Sequence, residues 1–503
     1  MARTLLLWCL VFLLVCPCLG SAAFAQDEPP LPAGLGGEAS SERDEPALPS
    51  GLAPEGEAAA EPALSPGLIP ETKAAQEPTL PEGLGKEVAE EQTSDKESPI
   101  PDRLFELSGF WDARAGFRTQ EDPHEKDASL GETRLQLQAE TYSEKTSATL
   151  TADLLYDPVL DRHSVRLEEG QGFLDLREAN FVITPASLVD VKAGRQILTW
   201  GTGDLIFIND LFPKDWNAFF IGRDEEYLKA SSDAVKVSLF TGLANLNIVY
   251  SPRFDADRFI DGRHVSYYNN ALGSLAGRDA VVKVDKPDDW FEDDEIAVRI
   301  YRNIRGYELA AYGYQGFWKS PAGTDPSSGR ATFPNLWVYG ASMRGSMFRG
   351  IGHAEFGYYD SKDDQSGDDS LIRNSELRIL VGYEQELAKE FTVGIQYYLE
   401  HMMEYDDYRR TFPDSMPKAD EDRHVFTVCL IKLLMNQNLT LSLFAFYSPS
   451  DYDAYLRPKI QYRIDDHWSA EAGGNIFVGE DEHTFFGQFE KNTNVYGGVR
   501  YSF

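Results

Sequence analysis

The sequence predicts an all-β fold: a membrane-crossing antiparallel β-barrel of about 18 strands, behind a disordered N-terminal extension. Three observations predict it. From residue 104 onward, strand-length segments alternate apolar and polar side chains with period two, as a pleated strand with two different faces must. The connections between these segments alternate short and long. The polar parity carries Arg, Lys, Asp, Glu, Gln and Thr, and the other carries Leu, Val, Ile, Ala, Tyr and Phe. A barrel of about 18 strands is too wide for its own side chains to fill, so the polar parity is expected to face a wet lumen and the apolar parity lipid.

In order, residues 1–25 read as a secretory signal peptide: Met-Ala-Arg, an apolar run from Leu5 to Val15, and Ala23-Phe24-Ala25 before Gln26. Residues 26–103 are different material. Four related octamers, Glu28–Leu35, Glu45–Leu52, Glu61–Leu68 and Glu77–Leu84, recur in a Pro-, Ala-, Gly- and Glu-rich background without aromatics. Such a segment buries too little apolar surface to offset its ordering entropy, so it is expected to be an acidic, disordered tether, either a spacer or a set of docking motifs for a periplasmic partner. Residues 104–503 form the barrel. The expected strands are 104–118, 131–142, 147–157, 172–184, 188–200, 233–241, 243–253, 294–303, 307–318, 335–347, 351–360, 376–386, 390–402, 424–435, 438–448, 454–464, 468–478 and 492–503. Counted from a periplasmic N-terminus, all short turns fall on the periplasmic side. Trp111, Tyr250, Trp318, Tyr383 and Trp468, near strand ends, are expected in interfacial girdles.

Composition excludes several function classes. A formal net charge of −35 argues against a nucleic-acid partner, because phosphates are held by a Lys/Arg surplus. Three of the four cysteines lie in the signal segment, which leaves Cys429 without an intrachain disulfide partner. The eight histidines are scattered, with no metalloprotease, nucleophile-elbow or phosphate-loop motif. The chain is therefore expected to be no enzyme and to need no cofactor or metal.

The residues expected to line the pore are Arg114, Arg134, Arg177, Lys192, Arg195, Lys236, Arg299, Arg344, Arg378, Arg457, Lys459 and Arg463, interleaved with Asp175, Asp190 and Glu295. Further inward acids include Asp112, Glu140, Asp153, Glu355, Glu400 and Glu471. Such a wall reads equally as cross-strand ion pairs that stiffen the barrel and as a filter for anionic or hydroxylated solutes. Arg195 falls on the apolar parity of its strand, where a charge at mid-membrane costs about 2–4 kcal/mol, so a bulge at Gly194 is expected to turn it inward. The loop that follows is rich in aromatics and Asp. Residues 204–220 are expected to fold into the mouth as a constriction, with Asp204, Asp210, Asp215 and Trp216 on it.

Two stretches carry resemblances. The closing segment, Asn492 to Phe503, resembles the last strand of bacterial outer-membrane barrels, in which the terminal aromatic is read by the barrel-assembly machinery; Tyr501 and Phe503 would carry that signal. Gly194-Arg195-Gln196, Trp200-Gly201, Gly203-Asp204 and Asp215-Trp216-Asn217 resemble the signature region of the alginate-export family and of related porin-like outer-membrane channels. That resemblance implies an 18-stranded channel lined by arginine for a polyanionic polysaccharide. The strongly acidic loops here, such as Asp288 to Asp294, would repel a polyuronate, so architecture and passive channel activity carry over and alginate does not. The expectation is an outer-membrane porin of a Gram-negative cell, set among lipid and lipopolysaccharide with its N-terminus in the periplasm, that passes solutes or exports a polymer; the alternative is a structural barrel that scaffolds a periplasmic partner through the repeats.

Overall fold

The structure is a computed structural model in which residues 105–161, 165 and 172–503 are described. The expected signal peptide and repeat tether lie outside the described residues. The described residues form a closed barrel of 18 long antiparallel strands: β1 Phe105–Arg118, β2 Thr133–Tyr142, β3 Thr146–Tyr156, β4 Leu174–Ala186, β5 Val189–Ile197, β6 Ser231–Leu239, β7 Asn245–Ser251, β8 Glu295–Ile304, β9 Tyr307–Phe317, β10 Asn335–Met347, β11 Gly350–Ser361, β12 Glu376–Ala388, β13 Phe391–Met402, β14 Asp422–Leu434, β15 Leu439–Ser448, β16 Asp453–Arg463, β17 Trp468–Gly479 and β18 Asn494–Ser502. Each pairs with its sequence neighbours, and β18 closes on β1 from Phe110↔Ser502 to Arg118↔Asn494. Every boundary lies within three residues of the expected one, the widest gap being Ile197 against residue 200.

Hairpin geometry explains the rhythm of the loops. At one end the turns are tight; between β8 and β9, Arg305 and Gly306 both take positive φ, 55° and 84°, as a two-residue turn matched to strand twist requires. At the other end the connections are long and partly structured. Closure is continuous at the terminus: Phe503 N–H donates to Gly109 O at 3.0 Å and Gly109 N–H returns the bond at 3.1 Å. Tyr501 lies between Trp111 and Trp468 in a cross-strand aromatic row.

The outer face is apolar and solvent-accessible. Leu137, Leu150, Ile296, Ile300, Val381, Ile395, Phe426, Val495 and Val499 are all exposed. An apolar belt on most strands exceeds what a water-facing surface carries and fits contact with lipid.

The interior departs from the wet-lumen expectation. The connection 198–230, between β5 and β6, folds back into the barrel and forms a hydrophobic core with the inner wall. Ile208, Leu211, Phe212, Phe219, Phe220 and Ile221 pack with inward Tyr312, Tyr359, Tyr398, Phe446, Tyr455 and Phe477. The wall side chains alone are too short to fill this width, but wall and loop together do. Two strand glycines make room for the loop. Gly340 and Gly357 face each other across β10 and β11, and a Cβ on them would meet Asn209 and Ile208 respectively. Trp318, expected in a girdle, is instead buried and stacked on Tyr359 at 5.7 Å, because it continues the inward parity of Tyr312 and Tyr314.

Gly340→Val is expected to push Asn209 off the wall and to lower stability by about 1–3 kcal/mol. Gly313→Ala, where a new Cβ meets nothing within 4 Å, is expected to leave the midpoint unchanged or slightly raised. Thermal unfolding followed by gel mobility of the folded barrel checks both.

Candidate functional site: the inserted loop and the cavity beside it

The loop must satisfy its own backbone polar groups once it leaves water, and the wall supplies the partners. On one side stands Glu355 of β11, only 3% exposed. Its carboxylate accepts from Thr202 N–H, from Thr202 Oγ1 at 2.9 Å, from Gly203 N–H at 2.8 Å, and from Asn209 N–H and Nδ2 at 3.2 and 2.8 Å. Gln396 of β13 pairs with the backbone of Asp204 in both directions, and Tyr359 Oη donates to Ile208 O. On the other side lies a short helix, α1 Trp216–Ile221, N-capped by Asp215, whose Oδ1 accepts from Ala218 N–H at 2.8 Å. The carbonyls at its C-terminal end have no helical partner. Tyr455 Oη donates to Phe219 O at 3.1 Å, Asn494 Nδ2 to Phe220 O at 3.0 Å, and Arg114 Nη1 to Gly222 O at 3.3 Å. β11 stands seven strands from β18 and eight from β1 around the 18-stranded wall, close to the opposite side, so the loop crosses the lumen.

After α1 the chain returns along β1, β2 and β16–β18 through a row of charges. Glu225 meets Arg457 at 3.1 Å, Glu226 meets Arg500 at 2.7 Å, and Asp224 meets Arg114 at 3.4 Å. Tyr227 is held between Arg134 and Arg177, whose guanidinium carbons lie 3.9 and 4.6 Å from its ring centroid. Mixed wall charge therefore has a structural use: acids of the loop and wall neutralise inward arginines.

The predicted pore residues fall into distinct settings. Arg134 pairs with Glu132 and Asp153, Lys459 with Glu471, Arg299 with Glu308, and Arg378 with Glu376. Asp175 pairs with Arg258, and Glu295 with Lys319. Lys192 lies 3.5 Å from Glu178 and directly across from Lys236, and Asp190 accepts from Thr184 at 2.7 Å. Arg344 is half-buried in β10, and Arg463 is exposed at the short-turn end. On the loop, Asp204 contributes its backbone, Asp210 pairs with Lys214 at 3.0 Å, Asp215 caps α1, and Trp216 Nε1 donates to Asp257 at 3.0 Å.

Arg195 corrects the expectation. Pairing runs through Gly194 without a register shift, although its φ is +117°. Arg195 keeps the outer parity near the long-loop end. It is buried there by donating to Leu176 O at 2.6 Å and to Asp233 on the next strand at 3.2 Å. A neighbouring carboxylate and carbonyl neutralise the charge within the wall, so no turn inward is needed. The bulge lies one strand earlier, where pairing skips Arg177 between Leu176 and Glu178. It moves inward parity from Asp175 and Arg177 to Asn180, and leaves Phe181 exposed.

Beside the loop, toward the long-loop end, lies a cavity of about 490 Å³. Phe207, Trp216, Trp318, Tyr359, Tyr398 and Phe485 contribute aromatic surface, while Arg373, Arg378 and Arg423 form a basic wall. Five cationic side chains line it with three carboxylates, and Glu295, Glu376 and Asp451 pair with Lys319, Arg373, Arg378 and Arg423 from behind, so its charges are locally balanced. The expected pore residues included Arg378 but not Arg373, which sits in a loop, or Arg423, one residue before the expected strand start. The inward aromatics did leave a signal: Phe444 and Phe446 share a parity with Ser442, and Tyr455 with Arg457 and Lys459.

Glu355→Ala would orphan several buried donors, each costing about 1–3 kcal/mol, so amide hydrogen exchange at Thr202, Gly203 and Asn209 is expected to accelerate strongly while the strands stay protected. Tyr455→Phe is expected to cost about 1 kcal/mol and to loosen only the α1 end. In the long loop 252–294, His264 is buried with Nε2 2.8 Å from Ser129 O. Burial first, then Arg223 and Arg118, lower its pKa from 6.5 to about 3. Between those values the unfolded chain binds the extra proton, so this contribution to stability is complete above about pH 6.5 and disappears as pH falls toward 3. Melting curves across that window are expected to lose part of their pH slope in His264→Gln.

No protein-family model matches the chain, and no curated protein matches it. Among solved structures it is similar to OccAB3 of Acinetobacter baumannii, with 12% identity and a TM-score of 0.47 over 79% of this chain and 99% of that one. It is also similar to OmpF of Salmonella typhi, in a complex with daunomycin, with 10% identity and a TM-score of 0.40 over 79% and 97%. A third is a loop L8 deletion mutant of OmpT, an outer membrane protein of Vibrio cholerae, with 10% identity and a TM-score of 0.37 over 80% and 100%.

Proposed function

We propose that the chain is an outer-membrane channel for passive diffusion of small solutes, with the tight turns toward the periplasm and the lumen narrowed by loop 198–230. The observation that carries this reading is the crossing loop itself. It is clamped by Glu355 on one wall and by Tyr455, Asn494 and Arg114 on the other, yet it leaves a cavity of about 490 Å³ beside it. The apolar outer belt supports the membrane setting. A threaded polymer such as a polyuronate would have to displace anchors on both walls, so small solutes fit better than polymer export. Selectivity belongs to Arg373, Arg378 and Arg423, which line the cavity, rather than to Arg299 and Arg457, which do not.

Single-channel recording of the purified full chain in a planar bilayer tests the reading. The wild type is expected to show small, resolved conductance steps, and Glu355→Ala, with its loop released, severalfold larger ones. Silence from both proteins would overturn the channel and favour the structural barrel.

A further inference from the structure

The cavity beside the loop combines broad aromatic surface with a row of guanidinium groups. Phe207 and Trp216 are half-buried, and Phe485 is 44% exposed. Arg378 lies over the Tyr359 ring with its guanidinium carbon 3.9 Å from the centroid, Arg373 over Trp318 at 4.8 Å, and Arg423 over Phe485 at 4.4 Å. The cations are thus held in place by stacking, before any ligand arrives.

These arginines already grip carboxylates in the wall. Arg378 donates to Glu376 at 2.6 Å, Arg373 to Glu376 and, at 3.2 Å, to Glu400, and Arg423 Nε to Asp451 at 2.7 Å. The wall carboxylates orient the guanidinium planes without exhausting them. The two terminal nitrogens of Arg423 have no hydrogen-bond partner among the described residues, although the side chain is only 19% exposed. A guanidinium fork of this kind accepts a carboxylate in a two-point contact. The volume falls within the range of about 300–1,000 Å³ typical of small-molecule sites.

We propose that this cavity is a binding site for small aromatic carboxylates, with the acid group on Arg423 and its arginine neighbours and the ring between Phe485, Trp216 and Phe207. This deepens the channel reading by naming the solute class that the lumen would take up. A saturated sugar would find aromatic faces but would leave the charge of the guanidinium groups unanswered. An organic cation would meet guanidinium groups at the surface, with Glu376 and Asp451 already engaged by them.

Isothermal titration of the full chain in detergent with 2-naphthoate tests the site. Saturable binding is expected. Cyclohexanecarboxylate should bind more weakly for lack of a planar ring, and 2-naphthol more weakly for lack of the charge. Arg423→Gln is expected to weaken naphthoate by about tenfold or more, and Phe485→Leu to weaken naphthoate more than cyclohexanecarboxylate. Folding of each variant is checked by the gel mobility of the unheated barrel. Absence of naphthoate binding to the wild type, or equal binding by folded Arg423→Gln and Phe485→Leu, would overturn the proposal. The two readings fail separately: a silent bilayer with naphthoate binding intact removes the channel and keeps the site, whereas ion conduction without naphthoate binding does the reverse.

Discussion

A wide barrel has an interior that its own wall cannot fill, and in this protein a single chain segment resolves that constraint. Loop 198–230 enters the lumen with apolar side chains and with backbone groups that lose water on the way in. It remains there because the wall answers both. Inward tyrosines and phenylalanines receive Ile208, Phe219 and Phe220, and Glu355, Tyr455, Asn494 and Arg114 take the exposed N–H and C=O groups. The Gly340–Gly357 pair, the α1 cap and the position of the cavity all follow from this docking.

Electrostatics follow the same logic. The chain is strongly acidic, yet many of its inward side chains are arginines. Loop acids at Asp224, Glu225 and Glu226 meet wall cations on β1, β16 and β18, so charges that leave water are paired as they do so. An ion pair of this sort specifies where the loop sits more than it adds to net stability, because both partners pay desolvation. At the rim of the cavity Arg373, Arg378 and Arg423 are braced by wall acids and aromatic faces together.

Much of this was legible one strand at a time. Period-two alternation placed all 18 strands because each strand repeats the same local choice between lipid and interior. The loop rhythm was legible because a two-residue turn and a folded loop differ in length. Arg195 was misread because parity assigns a face but not a partner: Asp233 is remote in sequence and adjacent only through β5–β6 pairing. Trp318 was misread for the opposite reason: it shares the inward parity of Tyr312 and Tyr314, and its place at a strand end was given more weight than that alternation. Glu355 was placed inward by parity, but its five donors lie some 150 residues upstream and meet it only across the lumen.

By itself, then, the sequence determined the barrel, the approximate places of its strands and the two characters of its wall, because those depend on hydrophobic pattern and turn length within short windows. The sequence also pointed to residues 204–220 as the inserted segment, but tertiary structure alone decided what anchors that loop, which arginines are neutralised and which line the cavity. Those outcomes rest on contacts between residues hundreds of positions apart, brought together by barrel closure, and no local pattern encodes a distance across an enclosed space.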